Sequence, residues 1–235
     1  MSARNQSVRV LFALPPSLES RMRSIRPLRR TAAALGAAAL AATALMTSAG
    51  TAEAALPTPV STSTAKTYLA SLTVAAESHE STYDRTLFPH WITISGTCNT
   101  RETVLKRDGV GVTTDSACAA TGGTWTSAYD NVVTTSASSF DIDHLVPLAE
   151  AWRSGAWAWT TAQRQNLAND LTRPQLIAVS ASSNRSKGDQ DPSTWLPQAS
   201  YRCTYVRAWV QVKYYYGLSV DSAEKSALTS VLNGC

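Results

Sequence analysis

The chain has no C-x-x-C pair, and its three histidines, His79, His90 and His144, are too far apart to chelate as a local pair. Both absences argue against a structural zinc site. It has one strongly apolar run, Thr31 to Met46, which is too short and too alanine-rich to span a membrane, and nothing later resembles a span. There is no internal repeat, no sign of a second domain, and no recognisable module for reading base edges. His79 and His90, without ligating partners, read as structural or surface residues.

What is present begins with an export leader. Seven arginines lie between Arg4 and Arg30, the apolar run follows, and Ala52-Glu53-Ala54 supplies small residues before Ala55. A basic stretch, an apolar core and a small-x-small cleavage site define residues 1–54 as a signal peptide, with Met22 as an alternative start. Arg29-Arg30 admits a twin-arginine route alongside ordinary secretion. The leader also carries the positive charge. It holds seven of the 21 Lys/Arg and two of the 17 Asp/Glu, which leaves 14 basic against 15 acidic residues in the mature part. The basic isoelectric point of the precursor is therefore no argument for a nucleic-acid partner, and any such surface must be a local patch.

Cys98, Cys118, Cys203 and Cys235 all fall in the mature part. Four cysteines in an exported chain read as two disulfides, with three possible pairings. Cys98–Cys118 and Cys203–Cys235 each close a local loop, worth about 3 kcal/mol in the chain-entropy model. Residues 55–64, rich in Pro, Ser and Thr, read as a flexible lead-in, and residues 65–235 suit one domain.

Within that domain, Ala65 to Glu77 has helical apolar spacing. Asn99 with Glu102, Thr160 with Gln163, and Asp221 with Glu224 are capping-box pairs that open helices. Gly122-Gly123 reads as a turn before strands at Thr124–Tyr129 and Val132–Thr135. Ser139 to Ile142 reads as a strand delivering Asp143-His144. Gln175 to Ser180 reads as a short buried strand running into a helix at Ser182–Lys187, and Pro174 breaks the helix opened at Thr160. Tyr205, Trp209, Val212 and Tyr216 mark a helix stopped by Gly217, so the Cys203–Cys235 pair clamps two antiparallel helices.

Two segments carry chemistry: Phe140-Asp141-Ile142-Asp143-His144-Leu145-Val146-Pro147 and Ser183-Asn184-Arg185-Ser186-Lys187-Gly188-Asp189. Phosphodiester hydrolysis needs an activated water, a sink for phosphate charge and help for the departing 3′ oxygen. Asp143 and Asn184 offer hard oxygen ligands for a divalent ion, Mg²⁺ or alternatively Mn²⁺. His144 titrates near neutrality and can take a proton from water. Lys187, three residues beyond Asn184, is placed to bring its ammonium to the phosphate. Asp141 shares a strand face with Asp143, as a further ligand or a supporting group. Arg85 and Arg101 are candidates to bind phosphate, and Trp152, Trp157 and Trp159 to stack on bases, but the arginines read first as packing and ion-pair residues and the tryptophans as core.

The pairing of these two segments resembles the HNH endonuclease family. It is similar to the nuclease module of RNA-guided Cas nucleases and closer to the C-terminal domain of GmrSD-type restriction enzymes. The weaker likeness takes in Tyr83 to Trp91, Cys98 to Arg101 and Trp125 to Asp130. The resemblance implies an α+β fold, a ββα-metal core embedded in a mostly helical single domain. It implies one divalent ion held by Asp143 and Asn184, with His144 as general base. The middle Asn of the family name is replaced by Gln175, whose amide makes the same kinds of hydrogen bond, so Gln175 is expected as a structural brace. The expected protein is a secreted, monomeric endonuclease of low sequence preference acting on DNA, or on RNA. A non-catalytic nucleic-acid-binding protein on the same scaffold is the alternative. No feature points to an immunity or inhibitor protein.

Overall fold

Helix starts in this chain are set by side-chain oxygens at the first exposed backbone N–H groups. In the computed structural model, which describes residues 56–235, Asn99, Thr160 and Asp221 each accept from the backbone N–H three residues on. Glu102, Gln163 and Glu224 reach back to the cap N–H, completing three capping boxes. Residues 1–54, read from the sequence as an export leader, lie outside the described residues. The described residues fall in one compact unit.

The elements are α1 (Thr62–Ser71), β1 (Thr93–Ser95), β2 (Cys98–Asn99), α2 (Thr100–Asp108), β3 (Val110–Thr114), β4 (Ala120–Thr126), β5 (Val133–Thr134) and β6 (Phe140–His144). They continue with α3 (Leu148–Arg153), α4 (Thr161–Ala168), β7 (Leu176–Ser180), α5 (Ala181–Lys187), α6 (Arg202–Tyr216) and α7 (Ser222–Asn233). The result is a mixed α/β domain with three small antiparallel sheets, β1-β2, β3-β4-β5 and β6-β7.

Several boundaries differ from the sequence reading. The supposedly mobile lead-in is docked: Pro59 is buried, Leu56 and Val60 pack on the core, and the Val60 N–H donates to Gln211 Oε1 at 3.0 Å. Ser61 caps α1 early, and α1 ends at Ser71 instead of Glu77. Beyond it the chain is extended, because Thr73 and Ala75 exchange backbone bonds with Val220, pairing Val74 with Val220 in a parallel bridge. Helix α4 ends at Ala168, well before Pro174, since Asn169 turns its amide to other partners. Gly122 and Gly123 lie inside β4, not in a turn. Gly123 has φ +139°, and a Cβ there would lie 2.9 Å from the Trp125 ring and 3.0 Å from the Val112 side chain, a close approach that a larger residue would block.

Strands β6 and β7 pair with Phe140 opposite Ser180 and His144 opposite Leu176. Alternation sends Phe140, Ile142, Leu176 and Ala178 to one face, where they pack with Val104, Leu105 and Trp125. Ile177 and Val179 join the larger core around Trp209, Tyr205 and Phe88 on the other face. Asp141 and Asp143 share that second face by the same alternation. Trp152 is buried as expected, whereas Trp157 is 41 % exposed and stacks on His79.

The disulfides are Cys98–Cys118 and Cys203–Cys235. The second joins the start of α6 to Cys235, two residues beyond the end of α7. Between these helices and α3 sits Lys213, fully buried, bonded to Glu150 and Glu224 at 2.7 Å each. Burial opposes its charge, but the two carboxylates outweigh that and raise its pKa. Lys213→Met keeps the aliphatic bulk but leaves buried Glu224 without a cationic partner and Glu150 with Arg153 alone. We expect a loss of about 3–5 kcal/mol, read as a lower urea midpoint in equilibrium unfolding.

Candidate active site

Strand β6 ends at the motif, and β7 runs directly into α5, so the antiparallel pair and the helix form a ββα unit. Ser180 starts α5 by accepting from the Ser183 N–H, and Gly188, at φ +55°, ends it. A cavity of about 420 Å³ opens where the end of β6 meets α5. Asp143, His144 and Asn184 line it together with Tyr83, Arg85 and Arg185.

Asp143 is 5 % exposed and held from two sides. Lys187 Nζ donates to Oδ1 at 2.9 Å, and the Tyr129 hydroxyl donates to Oδ2 at 2.6 Å. Burial pushes the Asp143 carboxyl up, and Lys187 and Tyr129 work against that shift. Lys187 feels the converse: burial lowers its pKa while Asp143 supports its charge. Each Asp143 oxygen keeps a further lone pair.

Lys187 therefore needs correcting. The ammonium expected to reach a phosphate is fully buried, bonded to Asp143 and to the His144 carbonyl at 3.0 Å. Three residues on a helix turn the side chain about 60° round the axis. That is enough to aim Lys187 at the sheet while Asn184 faces the cavity. Lys187 is a positioning residue for the end of β6.

His144 lies on the opposite face of the strand end from Asp143, stacked on Trp91 with ring centroids 5.3 Å apart. Its Nε2 is 2.9 Å from the Ala168 carbonyl. A carbonyl only accepts, so Nε2 carries the hydrogen and Nδ1 keeps its lone pair. Nδ1 has no partner among the described residues. Burial dominates the ring's acidity and pushes its pKa from 6.5 to about 3, against the opposing pull of the Ala168 carbonyl. The ring is thus neutral through the physiological range, and an anion brought against it shifts it back upward.

Asn184 Nδ2 donates to Asp141 Oδ2 at 3.1 Å. This fixes the amide so that Oδ1, without a partner among the described residues, is the free acceptor. Asp141 thereby acts through Asn184. Gln175 is fully buried. Its Oε1 accepts from the Val146 N–H at 3.1 Å, its Nε2 donates to the Val146 carbonyl at 2.8 Å, and its own carbonyl accepts from the Leu145 N–H. These three bonds pin the turn that leaves β6.

Sequence reasoning passed over three residues that shape the site. Tyr129 holds Asp143 from a loop 14 residues upstream, and its only signal was membership of the Trp125–Asp130 likeness. Trp91, at φ +59°, covers the His144 ring. Asn169 satisfies all its amide valences, accepting from Thr100 Oγ1 and the Ile92 N–H and donating to the Pro89 and Gln165 carbonyls. It so ties the Trp91 loop to the end of α4 beside Ala168.

A strand end carrying Asp-His, a second strand and a helix carrying Asn make the ββα arrangement of HNH-type nucleases. Residues 112–231 match the family model for the C-terminal domain of GmrSD restriction endonucleases, and the chain belongs to that family. A protein of Arthroderma benhamiae, known as an uncharacterized secreted protein, is 59% identical over 186 residues, covering 77% of this chain and 91% of its own. Its description as secreted agrees with the expected leader and the paired cysteines here. No solved structure matches the chain.

The family implies a divalent ion, and the donor set fits one. Asn184 Oδ1 is a free amide oxygen aligned by Asp141, and Asp143 is a carboxylate beside it in the same cavity. These are hard oxygen donors suited to Mg²⁺ or Mn²⁺. Another carboxylate group, Glu77, Asp191 and Asp221, lies within 4.8 Å of one another but lines none of this cavity.

Two outcomes follow from these contacts. Gln175→Ala leaves the buried Val146 N–H and C=O unpaired and costs about 2–4 kcal/mol, measured by chemical denaturation. Below pH 6.5 the unfolded chain takes up a proton at residue 144 that the folded chain refuses. This contribution to stability is complete above pH 6.5 and is lost as pH falls toward 3, at up to about 1.4 kcal/mol per pH unit. In EDTA, His144→Gln should lack that part of the slope when urea midpoints are followed against pH.

Proposed function

We propose that the protein is a secreted, metal-dependent endonuclease that hydrolyses phosphodiester bonds in DNA, or in RNA, with little sequence preference. The observation that carries this reading is that His144 and Asn184, each keeping one acceptor without a partner among the described residues, line one cavity with the buried carboxylate of Asp143. Membership of a restriction-endonuclease domain family supports it. Low sequence preference follows from a cavity whose charged groups suit phosphate, with base edges left unread.

In this mechanism a water oxygen attacks phosphorus while His144 Nδ1 takes the water's proton. The Ala168 carbonyl, holding Nε2–H, keeps the ring in the tautomer that makes Nδ1 the base. The P–O3′ bond breaks, and the departing oxygen gains its proton from solvent. Asp143 and Asn184 would hold a Mg²⁺ or Mn²⁺ ion, which supplies charge stabilisation at the phosphate and at the leaving oxygen. Lys187 and Tyr129 keep Asp143 in place, and Asp141 keeps Asn184 oriented. Trp91 shields one face of His144 from solvent.

The test is incubation of the purified mature protein with plasmid DNA and with RNA, in Mg²⁺, Mn²⁺ or EDTA. Cutting is expected with metal and absent in EDTA. His144→Ala should lower kcat by about 10²–10⁴-fold while leaving the circular dichroism spectrum folded. Nucleic acid that stays intact in every metal, or equal cutting by His144→Ala, would sink the assignment. Tight, metal-independent retention of uncut DNA would replace it with a binding function.

A further inference from the structure

The charges around the cavity do not balance, and the imbalance is local. Asp143 is paired with Lys187 at 2.9 Å, and Asp189 with Arg153 at 2.8 Å, an arginine that also pairs with Glu77 and Glu150. Arg85 and Arg185 line the same cavity, and neither guanidinium has a carboxylate partner among the described residues. Every pocket carboxylate is thus paired and neither pocket arginine is, although the mature part as a whole carries slightly more acid than base.

Arg85 is also presented by a braced loop. Asp84 Oδ1 accepts from the Thr86 N–H and hydroxyl, both at 2.8 Å, which starts the short 3-10 turn Arg85–Leu87. Arg164 Nε donates to the Leu87 carbonyl, and Phe88 is fully buried. Upstream, Trp152 Nε1 donates to the His79 carbonyl and Thr82 Oγ1, and Tyr83 packs edge-on against the Trp152 ring. The backbone is held on both sides of position 85 while the side chain itself is exposed. Arg185 comes from α5, one residue past Asn184, so the two cations reach the cavity from unrelated segments. Arg85 lies outside residues 112–231, where the family model matches, within the Tyr83–Trp91 stretch of weaker likeness.

We propose that Arg85 and Arg185 form a clamp for the phosphate oxygens of a polyanionic strand, with Arg85 a substrate-binding residue of the site. A guanidinium offers a planar fork of N–H donors that matches two phosphate oxygens at once, and two forks around one cavity select a phosphodiester over a neutral or singly charged ligand. The clamp rests on the nuclease reading for its substrate, but its binding is measurable without cleavage.

The probe is a fluorescein-labelled DNA single strand of about 20 nucleotides, titrated by anisotropy in EDTA between about 50 and 200 mM salt. Arg85→Ala and Arg185→Ala should each weaken binding about tenfold or more and flatten the log Kd against log salt slope by about 0.7, one phosphate contact apiece. Arg85→Lys should keep the slope and recover only part of the affinity, which separates the fork from simple charge. Lys106→Ala, an exposed charge on α2, is the control and should change neither by as much. With metal, Arg85→Ala should lower kcat/KM by at least its loss in affinity. Wild-type slope and affinity in Arg85→Ala, or a loss no larger than that of Lys106→Ala, overturns the clamp. If the wild type binds with an Arg85-dependent slope yet cuts nothing, the clamp stands and the cleavage reading falls.

Discussion

A fully buried lysine bonded to a nearly buried aspartate is the contact on which the rest of this site depends. Lys187 comes from the last turn of α5 and Asp143 from the end of β6, 44 residues apart, and the ammonium also takes the His144 carbonyl. Taking both charges out of water is costly, and breaking such a pair from one side costs several kcal/mol more. The helix can therefore lie on the sheet in only one way. That single docking sets where Asn184 stands relative to Asp143, and so where the proposed cation and phosphate would meet.

Around that pair the site is built by bonds that act at one remove. Asp141 turns the Asn184 amide, Tyr129 shares Asp143 with Lys187, Gln175 grips Val146, and Asn169 ties down the loop that covers His144. Each satisfies a polar group that would otherwise be buried alone, so the scaffolding needs no functional pressure to be stable. The functional consequence is that His144 and Asn184 each present one free acceptor of defined identity.

Local signals in the chain were read well where their physics is local. A cap and its partner three residues on depend only on helix geometry, so the starts at Asn99, Thr160 and Asp221 could be placed from the residues alone. The β6–β7–α5 unit was legible because alternation and a short apolar run point to it, and the motif pairing reinforced them. The end of α1 was misplaced because Val74 pairs with Val220, almost 150 residues away, and no local pattern reports that. Strand β3 was missed for a similar reason: Val110–Thr114 is mostly exposed and gains its order from pairing with β4. Lys187 was misdirected because helical spacing gives a face only to within about 60°, and burial decided the rest.

The sequence by itself determined which chemistry the chain can hold: an Asp-His at a strand end, an Asn on the helix that follows, an amide at 175, and four cysteines that suit two disulfides. These are statements about residue type and short spacing, and spacing along a strand or helix carries geometry directly. Only the tertiary structure decided what each group faces. It turned Lys187 inward, brought Tyr129 to Asp143, set Trp91 on His144, and placed Arg85 and Arg185 on one cavity without a carboxylate partner among the described residues. Those outcomes depend on which distant segments share a volume and on how desolvation is shared among them. Neither is encoded in any one stretch of the chain.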